Sequence, residues 1–399
     1  MIPDDLSLLV KVFGASWYFT RLIFYRGKDA ALIIDDPEII KFDIASIISS
    51  FEEVKNSDVV ESQLDRLRLQ KNEFMLRILL GYLSGVISQK EMEHALTCLA
   101  DVALYVVMDI FGLHTLAGSK VAVLGMGRMA GYEMTFGSDL DLIFLFECDS
   151  QDTSYELSKK IRLLLRNIST VSSAGSLYDI DMRLRPHGSS GALLTSSSSF
   201  IEYNQTDREI WERQVMTRCR PVVDKYGLGR NSLQSLSSKI YADYSEDYLR
   251  SEIINMRKRV EKEKGEIQGK CEVKRGKGGL MDIDFITHFL QLKYGYNNSQ
   301  MKTCSTRTAL ETAGNDGLIE SDSAANLLQS YDFLKRVEAS IRLFDMKSIS
   351  DFPQSPEAHQ PLARAMAYID GEPDEFLNVY RQVTGSVRDE FAKIVGSLA

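Results

Sequence analysis

The chain has 399 residues, a net charge of −9 and 44% hydrophobic residues. Its length predicts two or three domains, and the acidic balance, without a basic segment interleaved with aromatics, excludes a general nucleic-acid binder or a protein that adheres to anionic membrane. The cysteines Cys98, Cys148, Cys219, Cys271 and Cys304 are odd in number, scattered and free of C-x-x-C spacing. That argues against a disulfide framework or a zinc knuckle, and reduced thiols in a cytoplasm fit best. No apolar run reaches the ~18 residues of a membrane span, and the opening "MIPDDLSLLVKVF" lacks a positive leader.

From Leu6 to about Leu113 apolar residues recur at helical spacing. "SWYFTRLIFYRG" predicts a helix with Tyr18, Leu22 and Tyr25 on one face, a cap at Ser16 and a stop at Gly27. Two longer helices are expected over "LDRLRLQKNEFMLRILLGYL" and "SQKEMEHALTCLADVALYVVMDIF", the second capped by Ser88. At Lys120 the texture changes. "VAVLGM", "LDLIFLFE", "SLYDIDMRLRP" and "GALLTS" read as strands, separated by glycine-rich turns and one helix, "YELSKKIRLLLRNISTVSS". Ser196 to Ser199 reads as a turn and helix cap. Helical texture returns after Asp224, firmest in "GGLMDIDFITHFLQLKYG", where Leu280, Ile283, Ile286 and Leu290 share a face. "MRKRVEKEKGE" reads as a solvated helix face, and "YNNSQMKTCST", polar and aperiodic, as a mobile loop. The expected class is α+β, predominantly helical, with a small mixed β-sheet, divided into a helical region 1–92, a catalytic core 93–230 and a helical bundle 231–399.

The stretch "GMGRMAGYEMTFGSDLDLIFLFE" admits two readings. Gly125-x-Gly127-x-x-Ala130 scans as a dinucleotide fingerprint with Glu147 as the ribose acid, yet no crossover helix fits between Gly127 and Asp139. The second strand would also begin with carboxylates where an apolar run is needed. The back end is the stronger reading. Alternation along a strand points Asp139 and Asp141 to one side and Leu140 and Leu142 to the core. Two such charges call for a divalent cation of the Mg²⁺ type, and Gly137 and Ser138 offer N–H groups and a hydroxyl to a phosphate tail. "YDIDMRLRP" adds Asp181 as a third acid, with Asp179 on its face and Arg183 and Arg185 continuing it toward the loop. Carboxylates beside arginines suit metal and triphosphate together. "EVKRGKGGLMDIDF" brings Lys274, Arg275 and Lys277 to a helix start, a place for phosphate. The five histidines show no metal spacing, and no P-loop occurs.

Gly137-Ser138-Asp139-x-Asp141 with a later strand acid resembles the polymerase β type nucleotidyltransferase core. "GMGRMAGYEMTFGSDLDLIFLFE", "LYDIDMRLRPHGSSGALLTS", "WERQVMTRCRPV" and "VKRGKGGLMDIDFITHFLQLKYG" resemble, more closely, the glutamine synthetase adenylyltransferase family, over nearly the whole chain. Members of that family usually carry two related units, one removing AMP from glutamine synthetase by phosphorolysis and one attaching it from ATP; "SDLDL" and "GGLMDIDF" are more similar to the attaching unit. The resemblance implies Asp139, Asp141 and Asp181 as metal-holding catalytic carboxylates, with Mg²⁺ or Mn²⁺ as the ion. It implies Gly137, Ser138, Arg183, Arg185 and Lys274 as nucleotide contacts, ATP as substrate and glutamine synthetase as protein partner, with the PII signal protein a further one. No nucleic acid and no membrane are expected partners. Gly127-Arg128-Met129-Ala130-Gly131 departs from the family's Gly-Lys-Leu-Gly-Gly, and Asp284 stands where glutamate is common. Removal of AMP, a uridylyltransferase acting on PII, and a scaffold with a decayed site stay open beside attachment.

Overall fold

The computed structural model of the chain describes residues 4–26, 47, 49–51, 54, 59–206, 208–265, 272–352, 356–366 and 373–398. The expected stop at Gly27, and Cys271, lie outside them. Helices α1 (Asp4–Ala15) and α2 (Trp17–Arg26) open the chain. In α2 Phe19 is buried, Tyr18 and Leu22 are half-buried and Tyr25 is 88% exposed, so the expected face stops short of Tyr25. Next come α3 (Val60–Ser84), ended by Gly85 at φ 77°, and α4 (Gln89–Ile110), opened by a reciprocal capping box between Ser88 and Glu91.

The sheet region follows: β1 (Ser119–Met126), the short α5 (Gly127–Ala130), β2 (Leu140–Cys148), α6 (Gln151–Ser169), β3 (Ile180–Asp181), β4 (Leu194–Ser196) and α7 (Ser197–Gln205). Then α8 (Ile210–Thr217), β5 (Cys219–Val223), α9 (Leu228–Ile240) and α10 (Glu246–Val260) lead to α11 (Leu280–Tyr294), α12 (Thr306–Asn315), α13 (Ser321–Asp345), α14 (Pro356–Ala365) and α15 (Pro373–Ile394). The chain is α+β and predominantly helical, with a small mixed sheet, as the sequence predicts.

The strands run β3-β2-β1-β5, with β4 also on β2. β1 pairs antiparallel with β2 and β5, whereas β3 and β4 lie parallel to successive stretches of β2. Along β2, Leu140 and Leu142 are buried and Asp141 half-buried, the alternation that the sequence predicts. From Leu142 to Leu145 every residue is buried, because helices and neighbouring strands cover both faces there. "SLYDIDMRLRP" contributes only two residues of strand, so Arg183 and Arg185 do not continue a pleated face as expected. The chain turns immediately after Met182 instead.

Two compact units emerge. One comprises Met1–Phe13, Phe19–Asp207 and Cys219–Ser237, and holds the whole sheet together with α3 and α4. The other comprises Gly14–Tyr18, Arg208–Arg218 and Ser238–Ala399, and is helical, centred on α11, whose Leu280, Ile283, Ile286 and Phe289 pack with residues such as Leu334 and Phe376. Ser16 is buried in this unit, its hydroxyl donating to the Leu343 carbonyl at 2.6 Å. The segment expected to be mobile is anchored: Met301 is fully buried, the Gln291 amide donates to the Thr303 carbonyl at 2.5 Å, and Asn298 donates to Asp316 at 2.7 Å. Nor is "MRKRVEKEKGE" wholly solvated, since Arg257 is 0% exposed.

The sheet unit also encloses a cation. Lys71 of α3 is 5% exposed, and burial pushes its ammonium down to about 7, opposed by the charge of Asp179. In the unfolded chain the same group titrates near 10.5. Between these values the unfolded state holds the extra proton, so burial of Lys71 opposes folding fully below about pH 7 and ceases to do so as pH rises toward 10.5. The stability of the wild type relative to a Lys71→Met variant is therefore expected to increase from pH 6 to pH 9, measured by urea unfolding at each pH. In the helical unit, Met301→Ala removes a fully buried side chain and is expected to cost about 2–5 kcal/mol and to raise amide exchange across 296–304, read by mass spectrometry.

Candidate active site

The site grows out of the turn between β1 and β2. Because these strands are antiparallel, the glycines of 125–131 do not belong to a βαβ crossover, and the dinucleotide reading is excluded by topology. Gly127 adopts φ 57°, and a Cβ there would stand 3.1 Å from an Asp141 carboxylate oxygen. Glycine is required on both counts: it permits the left-handed turn and lets backbone approach the acid. Gly137 also lies at φ 64°. Ser138 folds its loop upon itself, its amide donating to the Thr135 carbonyl at 3.2 Å and its hydroxyl accepting from the Thr135 amide at 3.0 Å.

A stack of side chains steadies this turn. Tyr132, at φ 57°, lies beneath the Arg220 guanidinium at 4.1 Å and against His94 at 5.1 Å. One Arg220 nitrogen donates to both Asp101 oxygens at 2.9 and 2.7 Å and to the Met129 carbonyl at 3.1 Å. Burial raises the Asp101 carboxyl to about 6 against the pull of Arg220. Sequence reading missed both partners; Asp101 interrupts the largely apolar second half of α4, which was the available signal. Arg128, in place of the family's lysine, pairs with the buried Glu133 at 3.3 Å.

Asp141 and Asp181 are register partners on parallel strands, and Asp139 lies two residues before Asp141, just ahead of β2. Like charges opposite one another on adjacent strands are destabilising unless a cation answers them. Arg183 answers them here. Its Nε donates to both Asp181 oxygens at 3.0 and 2.8 Å, its Nη2 pairs with the same carboxylate, and its amide donates to Asp181 Oδ1 at 2.8 Å. Hydrogen bonding and the charge of Asp181 hold the guanidinium above its ordinary pKa, with smaller contributions from Asp141 and Asp139. The side chain is 75% exposed, against 17% for Asp181, so it covers the acid from the solvent side. Arg185 is used differently, its guanidinium bracing the following turn through the carbonyls of Met182, Ser189 and Gly191 at 2.7, 3.1 and 3.1 Å.

Among the described residues no group of three or more histidine, cysteine, aspartate or glutamate side chains is placed to hold a metal ion. Asp139, Asp141 and Asp181 nevertheless offer hard oxygen donors with no thiolate or imidazole beside them, and the nearby cation is an exposed arginine able to turn away. Carboxylate oxygens are donors that suit hard divalent cations.

Lys274 belongs to the helical unit, half-buried in a loop over 272–279 that ends at α11. The loop is held from inside. Glu272 accepts from the Gly276 amide at 3.0 Å and from the Arg275 amide, and Arg257 donates to the carbonyls of Arg275 and Gly276 at 3.0 Å each. Asp282, 0% exposed, accepts from Arg257, from Arg388 at 3.0 Å and from the Gly278 amide at 2.7 Å. Gly278, at φ 69°, comes so close to the Thr384 carbonyl that a Cβ would stand 1.8 Å from it. Asp284 accepts from Arg218 at 2.9 Å. Arg257 was legible in principle, since Leu249, Ile253 and Arg257 form one i, i+4, i+8 row.

Residues 6–235 match the family model described as glutamate-ammonia ligase adenylyltransferase, and residues 248–395 match a second model, GlnD PII-uridylyltransferase. Among curated relatives, bifunctional glutamine synthetase adenylyltransferase/adenylyl-removing enzymes are similar along much of the chain. That of Chromobacterium violaceum is 31% identical over 73% of this chain and 33% of its own length. That of Bradyrhizobium diazoefficiens is 29% identical over 80% and 33%, and that of Xanthobacter autotrophicus 28% identical over 100% and 42%. The chain thus spans about a third of the length of the first two and somewhat more of the last.

Proposed function

Because the chain belongs to the glutamate-ammonia ligase adenylyltransferase family, we propose that it moves AMP from ATP to a tyrosine of glutamine synthetase, and so regulates nitrogen assimilation. The observation that carries the reading is the register of Asp141 against Asp181, with Asp139 two residues before Asp141 and Arg183 among them. Three carboxylates so gathered have little use in a scaffold, where their repulsion opposes folding.

In this reading Asp139, Asp141 and Asp181 hold Mg²⁺ or Mn²⁺, which when bound supplies Lewis-acid stabilisation of phosphoryl charge and favours the phenolate. A free tyrosine phenol, with a pKa of ~10, is a poor nucleophile near neutrality. The phenolic proton passes to Asp181, at the edge of the sheet, as the oxygen attacks, and from it to solvent water. The bond from that oxygen to the α-phosphorus forms, the bond from the α-phosphorus to the β-bridging oxygen breaks, and pyrophosphate leaves with the electron pair. Gly137 and Ser138 meet the phosphates with backbone N–H groups, and Arg183, turned from Asp181, meets them with its guanidinium. For Arg185, engaged with three carbonyls, the role follows as a brace for this turn, with its positive charge adding to the field on the nucleotide. The part of Lys274 in nucleotide binding rests on the resemblance of its signature alone.

The relatives' names join attachment and removal of AMP, so the direction is a separate question: added phosphate with prelabelled glutamine synthetase measures removal. A second reading, transfer of UMP to the PII signal protein, is favoured by the match of 248–395 to a PII-uridylyltransferase model. A preference for UTP over ATP would select it. Among the described residues no helix is long and apolar enough to cross a membrane.

With α-labelled ATP, Mg²⁺ and unmodified glutamine synthetase, label is expected on the target. Asp139→Asn with Asp141→Asn is expected to abolish it while circular dichroism and the unfolding transition stay cooperative. Undiminished transfer by the double variant would sink the carboxylate assignment.

A further inference from the structure

β3 is two residues long, and its pairing with β2 is all that sets Asp181 opposite Asp141. A single hydrogen bond contributes little net, and a strand this short has little hold on its own register. The nearest backbone tie is the Leu140 amide, which donates to the Asp179 carbonyl at 2.9 Å. What fixes the chain ahead of Asp179 is therefore what fixes the acid.

That chain is gripped by one face of α3. Arg68, Lys71 and Asn72, at i, i+3 and i+4, are all buried; Arg68 donates to backbone in the last turn of α6, and Lys71 and Asn72 to backbone of the segment between α6 and β3. Arg68 reaches the Asn167 carbonyl at 2.8 Å and Asp65 at 2.7 Å, and Asp65 also accepts from Ser172 at 2.6 Å. Asn72 donates to the Ala174 carbonyl at 3.1 Å, where Gly175, at φ 98°, brings the backbone against it. Of the three, Lys71 holds the residues nearest to Asp179. Its ammonium donates to the carbonyls of Ser176 and Leu177 at 3.0 and 2.8 Å and sits 5.1 Å from the Tyr178 ring centroid. Residues 176 to 178 are thus tied to α3 one step before the Asp179 carbonyl meets Leu140.

A buried ammonium is expensive. What the lysine adds is direction: two carbonyls aimed at one nitrogen define both the position and the rotation of the entering strand. We propose that Lys71 is a positioning residue for Asp181, setting the register in which the third carboxylate meets Asp141. The proposal rests on the nucleotidyl-transfer reading of the site. Lys71 touches neither nucleotide nor protein substrate in this account, and acts through the backbone of 176–179.

The test uses the full chain and three variants. Lys71→Met keeps the stem and removes the donors; it is expected to lower kcat by about 10- to 100-fold, the scale of a displaced catalytic group, with the KM for ATP within about twofold. Amide exchange at Leu140 is expected to rise in the same variant. Lys71→Gln, which keeps an amide donor, is expected to recover part of both, and it supplies the answer should the methionine variant not fold. A wild-type kcat in a folded variant overturns the proposal, and so does a loss of kcat with Leu140 protection intact, because the route through register would then be absent. Asp181→Asn separates the two ideas. If it abolishes transfer while the Lys71 variants behave as wild type, the site stands and the positioning role falls; if it transfers fully, the site reading itself fails.

Discussion

The sheet unit is organised around a repulsion. Asp141 and Asp181 occupy opposed positions on adjacent parallel strands, with Asp139 at the strand mouth, and no arrangement of backbone hydrogen bonds relieves three like charges brought together. The fold must supply rigidity enough to hold them and a cation to answer them. In this structure the cation is Arg183, two residues beyond Asp181 and mostly exposed, which makes it a counter-charge that can be exchanged. A more buried partner would lock the acids permanently.

Rigidity comes from different sources on the two sides. Asp141 stands on β2, and Asp139 just ahead of it; β2 is a nine-residue strand flanked by β1 and β4 and packed through Leu140, Leu142 and Phe144. Hydrophobic burial and a full ladder suffice there. Asp181 stands on a two-residue strand, and buried polar side chains of α3 take the place of a ladder. The Arg220 and Tyr132 stack serves the turn before Asp139 in a similar way. Within the helical unit, the same device recurs independently: Arg257, Asp282 and Arg388 hold the loop that carries Lys274. In each case a buried charge is satisfied by backbone of a loop, trading stability for geometry.

Much of this was legible in the residues. The period-two alternation of "DLDLI", the turn glycines before it and the capping pattern of Ser88 with Glu91 express local physics, which neighbours in sequence decide. The failures share a cause. "DIDMRLRP" satisfies strand alternation, yet the chain turns after Met182 because Arg185 finds three carbonyls in the turn and Arg183 folds back on Asp181. "MRKRV" looks solvated as a run of charge, but helix periodicity places Arg257 in line with Leu249 and Ile253, on the buried side. Lys71 and Arg68 escaped notice for the same reason, as charged residues on the buried face of α3. A polar, aperiodic stretch such as 296–306 gives no sign that one methionine within it is fully buried.

By itself the sequence determined the class of fold and the helices and strands that follow from periodicity and capping. These depend on residues within a few positions of one another, where side-chain direction is set by the repeat of the backbone. The tertiary structure alone decided that β3 lies parallel to β2 in the register that joins Asp181 to Asp141, and which cations are spent on carbonyls, on buried acids or on the site. Those outcomes depend on partners about 40 to 110 positions apart; which of several possible donors and acceptors meet is fixed by competition among long-range contacts that no local pattern encodes.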